Sequence, residues 1–401
     1  MRNACGNLKF FLAVETSSAF FTSLMAPFWV IYFRSVIGLS FEQISLLIIG
    51  NHAASMLLEI PTGAIADLWG RKTSVSISLA IGAFASIGIY FSGHFLLLLV
   101  FFILSGIGAT FKSGAFEAWL ADSLMASDSN VDLTKIWGKL SSFGYLASML
   151  GFLIGSSLVH FGFLREIWLV EGAGIFLIFI LVMVRGREIH KQSSSNKVTF
   201  SEYWQKVKNG SCYLFKRKFL IFAVGGSFFF YFSSGIISLL WQPYFKDLGI
   251  PIDWFGPILA AIMAQGIFIP RYSHLITKKL KGNLNTLGMV SVGCAVSLFL
   301  MRELHNFTLI FYFIYMGIYC LESPVFMGFI NRFLPSEERA TILSTYSLII
   351  SISTIICTYL FGFFSTQYGF SAALSLSILS VIVSAAFLMV SKKQEKKEEQ
   401  D

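Results

Sequence analysis

Two stretches of this chain, Thr73–Phe111 and Ala340–Ser391, contain no Asp, Glu, Lys or Arg. A helix that crosses a bilayer needs about 20 apolar residues, so each stretch has the length for two crossings. The first breaks at Ser92-Gly93-His94 and the second near Gln367-Tyr368-Gly369. The rest of the chain follows suit. Charged residues make up 13% of it, against roughly 25% in soluble domains, and its 43 Phe exceed what one aqueous core uses. The expected fold class is an all-α membrane protein. Read along the whole chain, the apolar runs predict twelve transmembrane helices, near 10–33, 43–66, 73–92, 95–121, 138–160, 164–184, 219–245, 254–276, 285–301, 307–331, 341–365 and 372–390.

The net charge of +8 raises the question of a polyanionic partner, and its placement answers it. With both termini cytoplasmic, 25 of the 30 Lys and Arg fall in the N-terminus, the cytoplasmic loops and the tail. Arg34, Arg165, Lys246 and Arg302 fall on the other side, and Lys112 falls inside a span. That is the positive-inside bias of membrane proteins, and it accounts for the basic balance without nucleic acid. The basic, then apolar start has the look of a signal peptide, but its run continues to Tyr32 without a small-residue cleavage site. It is expected to stay as the first helix. Five scattered Cys lack metal-ligand spacing and read as buried thiols.

One long hydrophilic break, 185–218, carries nine basic residues and two acids, Glu188 and Glu202. It divides the chain into an expected six-helix bundle at 1–184, a basic cytoplasmic linker at 185–218, a second bundle at 219–391 and a charged tail at 392–401. The halves share hydropathy and loop lengths, the mark of a repeat with its binding site near mid-membrane. Gly151 and Gly155 stand in a small-xxx-small spacing that predicts close helix packing.

Polar residues crowd one loop, Gly63-x-x-x-Asp67-x-x-Gly70-Arg71-Lys72, at the cytoplasmic end of span two. Arg71 and Lys72 serve topology, but acids contribute little to orientation, so Asp67 asks for another role. An Asp at a helix end can cap a neighbouring helix through its dipole. Arg71 can pair with an acid nearby, and Asp122 at the cytoplasmic end of span four is the candidate. This loop, with the six-plus-six division and the basic central linker, resembles the signature of the major facilitator superfamily. "LEIPTG" and "SGAFEAWLAD" resemble a subgroup of it. The resemblance implies alternating access of two pseudo-symmetric bundles. It also implies a cytoplasmic gate built from Gly63, Asp67, Gly70, Arg71, Lys72 and Asp122. The counterpart loop in the second half, "RYSHLITKKLKGN", keeps the basic charge but lacks the Asp. The latch is therefore expected to be one-sided, with its other partner in "SEERATILS" at the start of span eleven.

Ionisable groups inside a bilayer are costly and mark function by default. Glu15, Glu59, Lys112 and Glu322 each lie about 12–15 Å from the cytoplasmic boundary at 1.5 Å per residue. Glu15, Ser18 and Thr22 share one helix face, continued by Met25 and Trp29. In span ten Tyr312, Tyr315, Tyr319 and Glu322 repeat the pattern, and in span seven Tyr231, Ser234 and Ser238 do. Together these predict an aromatic-walled aqueous cavity lined by Glu15, Ser18, Thr22, Lys112, Tyr231, Ser234, Tyr312, Tyr315, Tyr319 and Glu322. Packing of the tyrosines and mutual neutralisation of the charges are the structural alternatives. Glu59 reads as a brace for the loop, Glu117 as part of the gate, and His52, beside Asn51, as a satisfied buried imidazole.

No Walker loop, dinucleotide fingerprint or His/Cys ligand set is present, so neither enzyme activity nor a cofactor or metal is expected. Transport without a nucleotide site is secondary. A carboxyl group in a dry interior can exist in either protonation state, which makes Glu15 and Glu322 candidates for proton coupling. The leading expectation is a monomeric, proton-coupled inner-membrane exporter of a small amphipathic or cationic compound. Cations suit ring faces and acids. Span five, "GYLASMLGFLIGSSL", has the glycines of an exporter motif without its proline. The alternatives are a proton symporter importing an organic anion, with Lys112 as anion partner, and a channel or sensor.

Overall fold

The computed structural model describes residues 2–126, 132–188, 216–334 and 339–398. Among these the regular structure is entirely helical. Ten helices are long and apolar enough to cross a membrane, and the bent pair Asn7–Met25 and Trp29–Ile37, angled by 42°, makes an eleventh. A further long helix, Phe41–Trp69, has 29 residues and would reach about 43 Å. This is the all-helical architecture expected, with corrections inside it. Span one begins at Arg2 and bends after Met25. Span twelve runs on from Phe370 to Glu398.

Spans four and ten each run through as one span, Phe95–Met125 and His305–Ile330, as read from the sequence, with a local irregularity inside each. Span four is two half-helices, Phe95–Lys112 and Ala115–Met125, broken at Ser113 and Gly114. Gly114 takes a φ of 70°, a backbone region open to glycine. Span ten has a tighter turn at Cys320 and Leu321, both still in right-handed helical conformation, between Thr308–Tyr319 and Glu322–Ile330. Both irregularities fall beside an ionisable residue. Apolar periodicity does not register them, because the residues on both sides remain lipid-compatible.

The chain forms two compact units. The first is Met1–Val198 with Ile250–Ala260, and the second is Thr199–Gly249 with Ala261–Asp401. The expected linker lies almost wholly outside the described residues. In unit 1 the core gathers Phe11, Phe116, Trp119, Leu140, Ile178 and Val182, with Trp119 edge-on to Phe11 at 4.9 Å. In unit 2 it gathers Phe219, Leu284, Phe326, Phe329, Tyr346 and Leu388.

Helices in lipid gain little from hydrophobic burial and depend on close packing and interhelical hydrogen bonds. Span twelve (Phe370–Glu398) presents a buried serine row to spans seven (Lys218–Asp247) and nine (Asn283–Glu303). Ser377 meets the Ser233 hydroxyl at 2.6 Å, Ser384 meets Ser291 at 3.1 Å, and Ser391 donates to the Phe219 carbonyl at 2.7 Å. In unit 1 the same closeness comes from glycine. A side chain at Gly151 would run into the Phe20 carbonyl of span one, and one at Gly155 into that of Leu24. The spacing seen in the sequence is thus the seat of span one on span five (Leu133–His160). Gly155→Leu is expected to separate these helices at a cost of about 1–3 kcal/mol, as for overpacked interiors. Thermal unfolding of the purified protein should show a lowered midpoint, and an unchanged midpoint would refute the assignment.

Candidate functional site

The loop between spans two and three is built around Gly70, whose φ of 95° suits glycine alone. Any side chain there would also strike Glu188. The Glu188 carboxylate accepts hydrogen bonds from the backbone N–H groups of Arg71 (3.2 Å) and Lys72 (2.9 Å). These are the first amides of span three (Arg71–Phe91), which a helix leaves unpaired, and a negative charge there opposes the helix dipole favourably. Glu188 is held in place because Trp119 donates its indole N–H to the Arg187 carbonyl at 3.0 Å. From the sequence Glu188 is only one of two acids in a basic linker, and its capping role depends on a fold that returns the end of span six to span three.

The Arg71 guanidinium pairs with the Asp122 carboxylate, as the resemblance implied. Lys72 donates to the Met183 carbonyl at 3.1 Å, near the Arg185 end of span six. Gly63 meets no neighbour that a side chain would touch. The Asp67 side chain lies outside the described residues, as do residues 335–338 of the expected partner turn. Glu117 is exposed.

Farther into unit 1, the Lys112 ammonium meets the Glu15 carboxylate at 2.9 Å, both side chains about one-third exposed (32% each). The ammonium also stands 5.1 Å from the Phe116 ring centre. Lys112 is the last residue of its half-helix, where the carbonyl end of the dipole favours a cation. Of the face shared with Glu15, Ser18 is buried with a hydroxyl that has no partner among the described residues, and the Thr22 hydroxyl donates to the Ser18 carbonyl at 2.8 Å. Glu59 is exposed and joins no ion pair among the described residues, so it is not part of this pair. His52, expected buried, is exposed. Its neighbour Asn51 carries the interior bond instead, donating to the Phe102 carbonyl at 2.9 Å.

In unit 2 Glu322 is 3% exposed and opens the second half of span ten, where the amide end of a helix favours an acid. Ser227 donates to it at 3.1 Å, and Tyr231 stands beside it. Among the described residues no Lys or Arg pairs with it. The Ser234 hydroxyl donates to the Tyr231 carbonyl at 3.0 Å. Tyr319 stacks on Phe230 at 5.6 Å, Tyr312 stacks on Trp241 at 6.0 Å, and Tyr315 stacks on Tyr319 at 6.2 Å. Tyr312 and Tyr315 are each 2% exposed, so in this structure they are packed ring against ring.

One interior acid escaped the sequence reading. Glu171 of span six (Ile167–Arg185) is 8% exposed and accepts from the Ser86 hydroxyl at 3.1 Å. The signal was available, since Glu171 interrupts an apolar run inside the predicted span 164–184 as Glu15 does in span one.

A chain of membrane-spanning helices in two units, with acids and a lysine at mid-span irregularities, has the build of a secondary carrier. The model of the Major Facilitator Superfamily matches residues 11–301 and 223–401, and the chain belongs to that family of membrane transporters. It is similar to the uncharacterized MFS-type transporter YxaM of Bacillus subtilis (strain 168), with 22% identity, covering 92% of this chain and 90% of that one. Over 44% of this chain and 43% of the relative, it is 24% identical to the uncharacterized MFS-type transporter YhjO of the same organism. Among solved structures the fold is shared with the nucleoside transporter NupG (TM-score 0.74, 13% identity, 97% and 99% of the two chains). It is also shared with a bacterial homolog of the lysosomal transporter Spinster (0.75, 13%, 98% of each) and with a D-xylose-proton symporter (0.67, 14%, 95% and 96%).

The Glu188 contacts make a specific forecast. Glu188→Ala leaves two helix-start amides without their acceptor and should cost about 0.5–2 kcal/mol, the range for lost helix caps. Glu188→Gln, which keeps an acceptor oxygen, should lose less. Thermal midpoints of the two variants in the same detergent test this, and equal midpoints would refute the cap.

Proposed function

We propose that this transporter is a proton-coupled exporter of small amphipathic or cationic organic compounds. The observation that carries the reading is the unequal pairing of its interior charges. Lys112, a mid-span base, is already neutralised by Glu15, whereas Glu322 is buried with no basic partner among the described residues. An uncompensated carboxyl group attracts a proton or a cationic cargo in turn, and that competition is the simplest form of antiport. An imported organic anion would need a free ammonium to receive it. The Arg71–Asp122 pair and the Glu188 contact support a rigid cytoplasmic end for unit 1, in keeping with the gate formed by Gly63, Asp67, Gly70, Arg71, Lys72 and Asp122. The concentration of Lys and Arg in the two terminal segments and in alternate loops supports an inner-membrane location with both termini cytoplasmic. The protein is proposed to work as a monomer.

The test is transport into inside-out vesicles under an imposed pH gradient, screened with a library of organic cations and anions. Glu322→Gln fixes the uncharged form and should abolish gradient-driven transport while binding stays measurable. Full activity with unchanged pH dependence would remove Glu322 from the mechanism. Lys112→Ala separates the two cargo signs. For a cationic cargo, binding partly survives, since the ammonium was engaged by Glu15. For an anionic cargo, affinity should fall roughly ten- to a hundredfold, the worth of a charge-assisted bond of about 1.5–3 kcal/mol. Such a loss would overturn the exporter reading in favour of anion symport.

A further inference from the structure

Unit 1 holds a cavity that the transport reading does not use. Its volume is about 280 Å³, and Trp29, Asn51, Ser86, Phe102, Trp168 and Glu171 are among its lining residues. At ~30 Å³ per water that is room for about nine waters, or a compound of about ten non-hydrogen atoms. It lies apart from the Glu15–Lys112 pair along the helices. Glu171 is one turn from the outer end of span six and about 21 Å from its cytoplasmic end at Arg185.

Two lining residues carry buried polar groups. Glu171 is more than nine-tenths buried, and its Oε1 accepts from the Ser86 hydroxyl. No Lys or Arg lines the cavity. Trp168 is 7% exposed, and its Nε1–H has no acceptor among the described residues. Buried polar groups are paired in the great majority of cases, so a carboxylate lacking a cation and an indole lacking an acceptor describe what is missing. The walls narrow it further. Three aromatic side chains line the space, and Phe33 braces two of them, 5.4 Å from Phe102 and 5.8 Å from Trp168. Rings held around a carboxylate favour a methylated ammonium, whose attraction to aromatic faces is strongest when water is excluded. A hard metal cation takes six or more oxygen ligands, and one carboxylate with two serines and an amide falls short of that. An anion would meet the Glu171 carboxylate, with no Lys or Arg in the lining to offset it.

We propose that this cavity is a binding site for a small methylated ammonium compound bearing a hydroxyl or carbonyl oxygen, its cation against Glu171 and the rings and its oxygen taking the Trp168 N–H. The site stands whatever the cargo of the transport cycle is, because binding is measured without transport.

The experiment is equilibrium binding of radiolabelled choline and of tetramethylammonium to the purified full-length protein, with sodium chloride as competitor. One saturable choline site per chain, not displaced by sodium, is the expected result. Glu171→Gln should weaken both probes at least tenfold. Trp168→Phe keeps a ring but removes the N–H, so it should weaken choline several-fold and leave tetramethylammonium nearly unchanged. Absence of saturable binding overturns the proposal. So does displacement by sodium at equal concentration, or unaltered binding in both variants when they elute as the wild type does. If Glu171→Gln fails to fold, the Trp168→Phe probe ratio decides, and an unchanged ratio counts against the site.

Discussion

The exclusion of water from the interior governs everything else in this protein. A bilayer core leaves backbone groups no partner except each other, so the chain is helical. It also leaves a side-chain charge no partner except one the fold supplies. Lys112 and Glu322 meet this demand in the same way. Each sits at an irregularity in its span, Lys112 at the carbonyl end of one half-helix and Glu322 at the amide end of another, so the helix dipole assists the charge in both places. Non-helical backbone inside a membrane is tolerated where it faces protein or a water-filled cavity, and half-helix ends are where carriers hold their ligands. The irregularities therefore explain how ionisable groups can exist at that depth, as well as where they are.

Much of this was legible in the residues. Runs without charge located the helices, since nothing in a spanning helix can hide Asp or Lys cheaply. The Gly151–Gly155 spacing announced a close approach, and the loop at Gly63–Lys72 announced the Arg71–Asp122 pair. What stayed hidden depended on long-range return of the chain. Glu188 reads as one acid in a basic linker until the end of span six is folded back onto span three. The irregularities at Ser113-Gly114 and Cys320-Leu321 change no hydropathy, so periodicity runs straight through them. Tyr312 and Tyr315 fit a helical stripe equally well as cavity wall or as packed rings, and pattern alone cannot decide between those. Asn51 and His52 are adjacent polar residues in one apolar run, and the pattern does not say that the amide takes the interior bond and the imidazole the exposed face.

The repeat sharpens one contrast. Span three starts at Gly70 with a φ of 95° and span nine at Gly282 with a φ of 128°, so the same chain reversal precedes both. In unit 1 the first amides after the glycine are capped by Glu188. In unit 2 the first turn after Gly282 has no cap from its own N-cap side chain. The surrounding loop supplies Lys278, Lys279 and Lys281 but no acid. Backbone geometry at a turn is fixed by what glycine permits, whereas the cap is a single side chain that each copy can gain or lose. The acidic cap at the start of span three is therefore a feature of unit 1 that the shared glycine turn does not by itself impose.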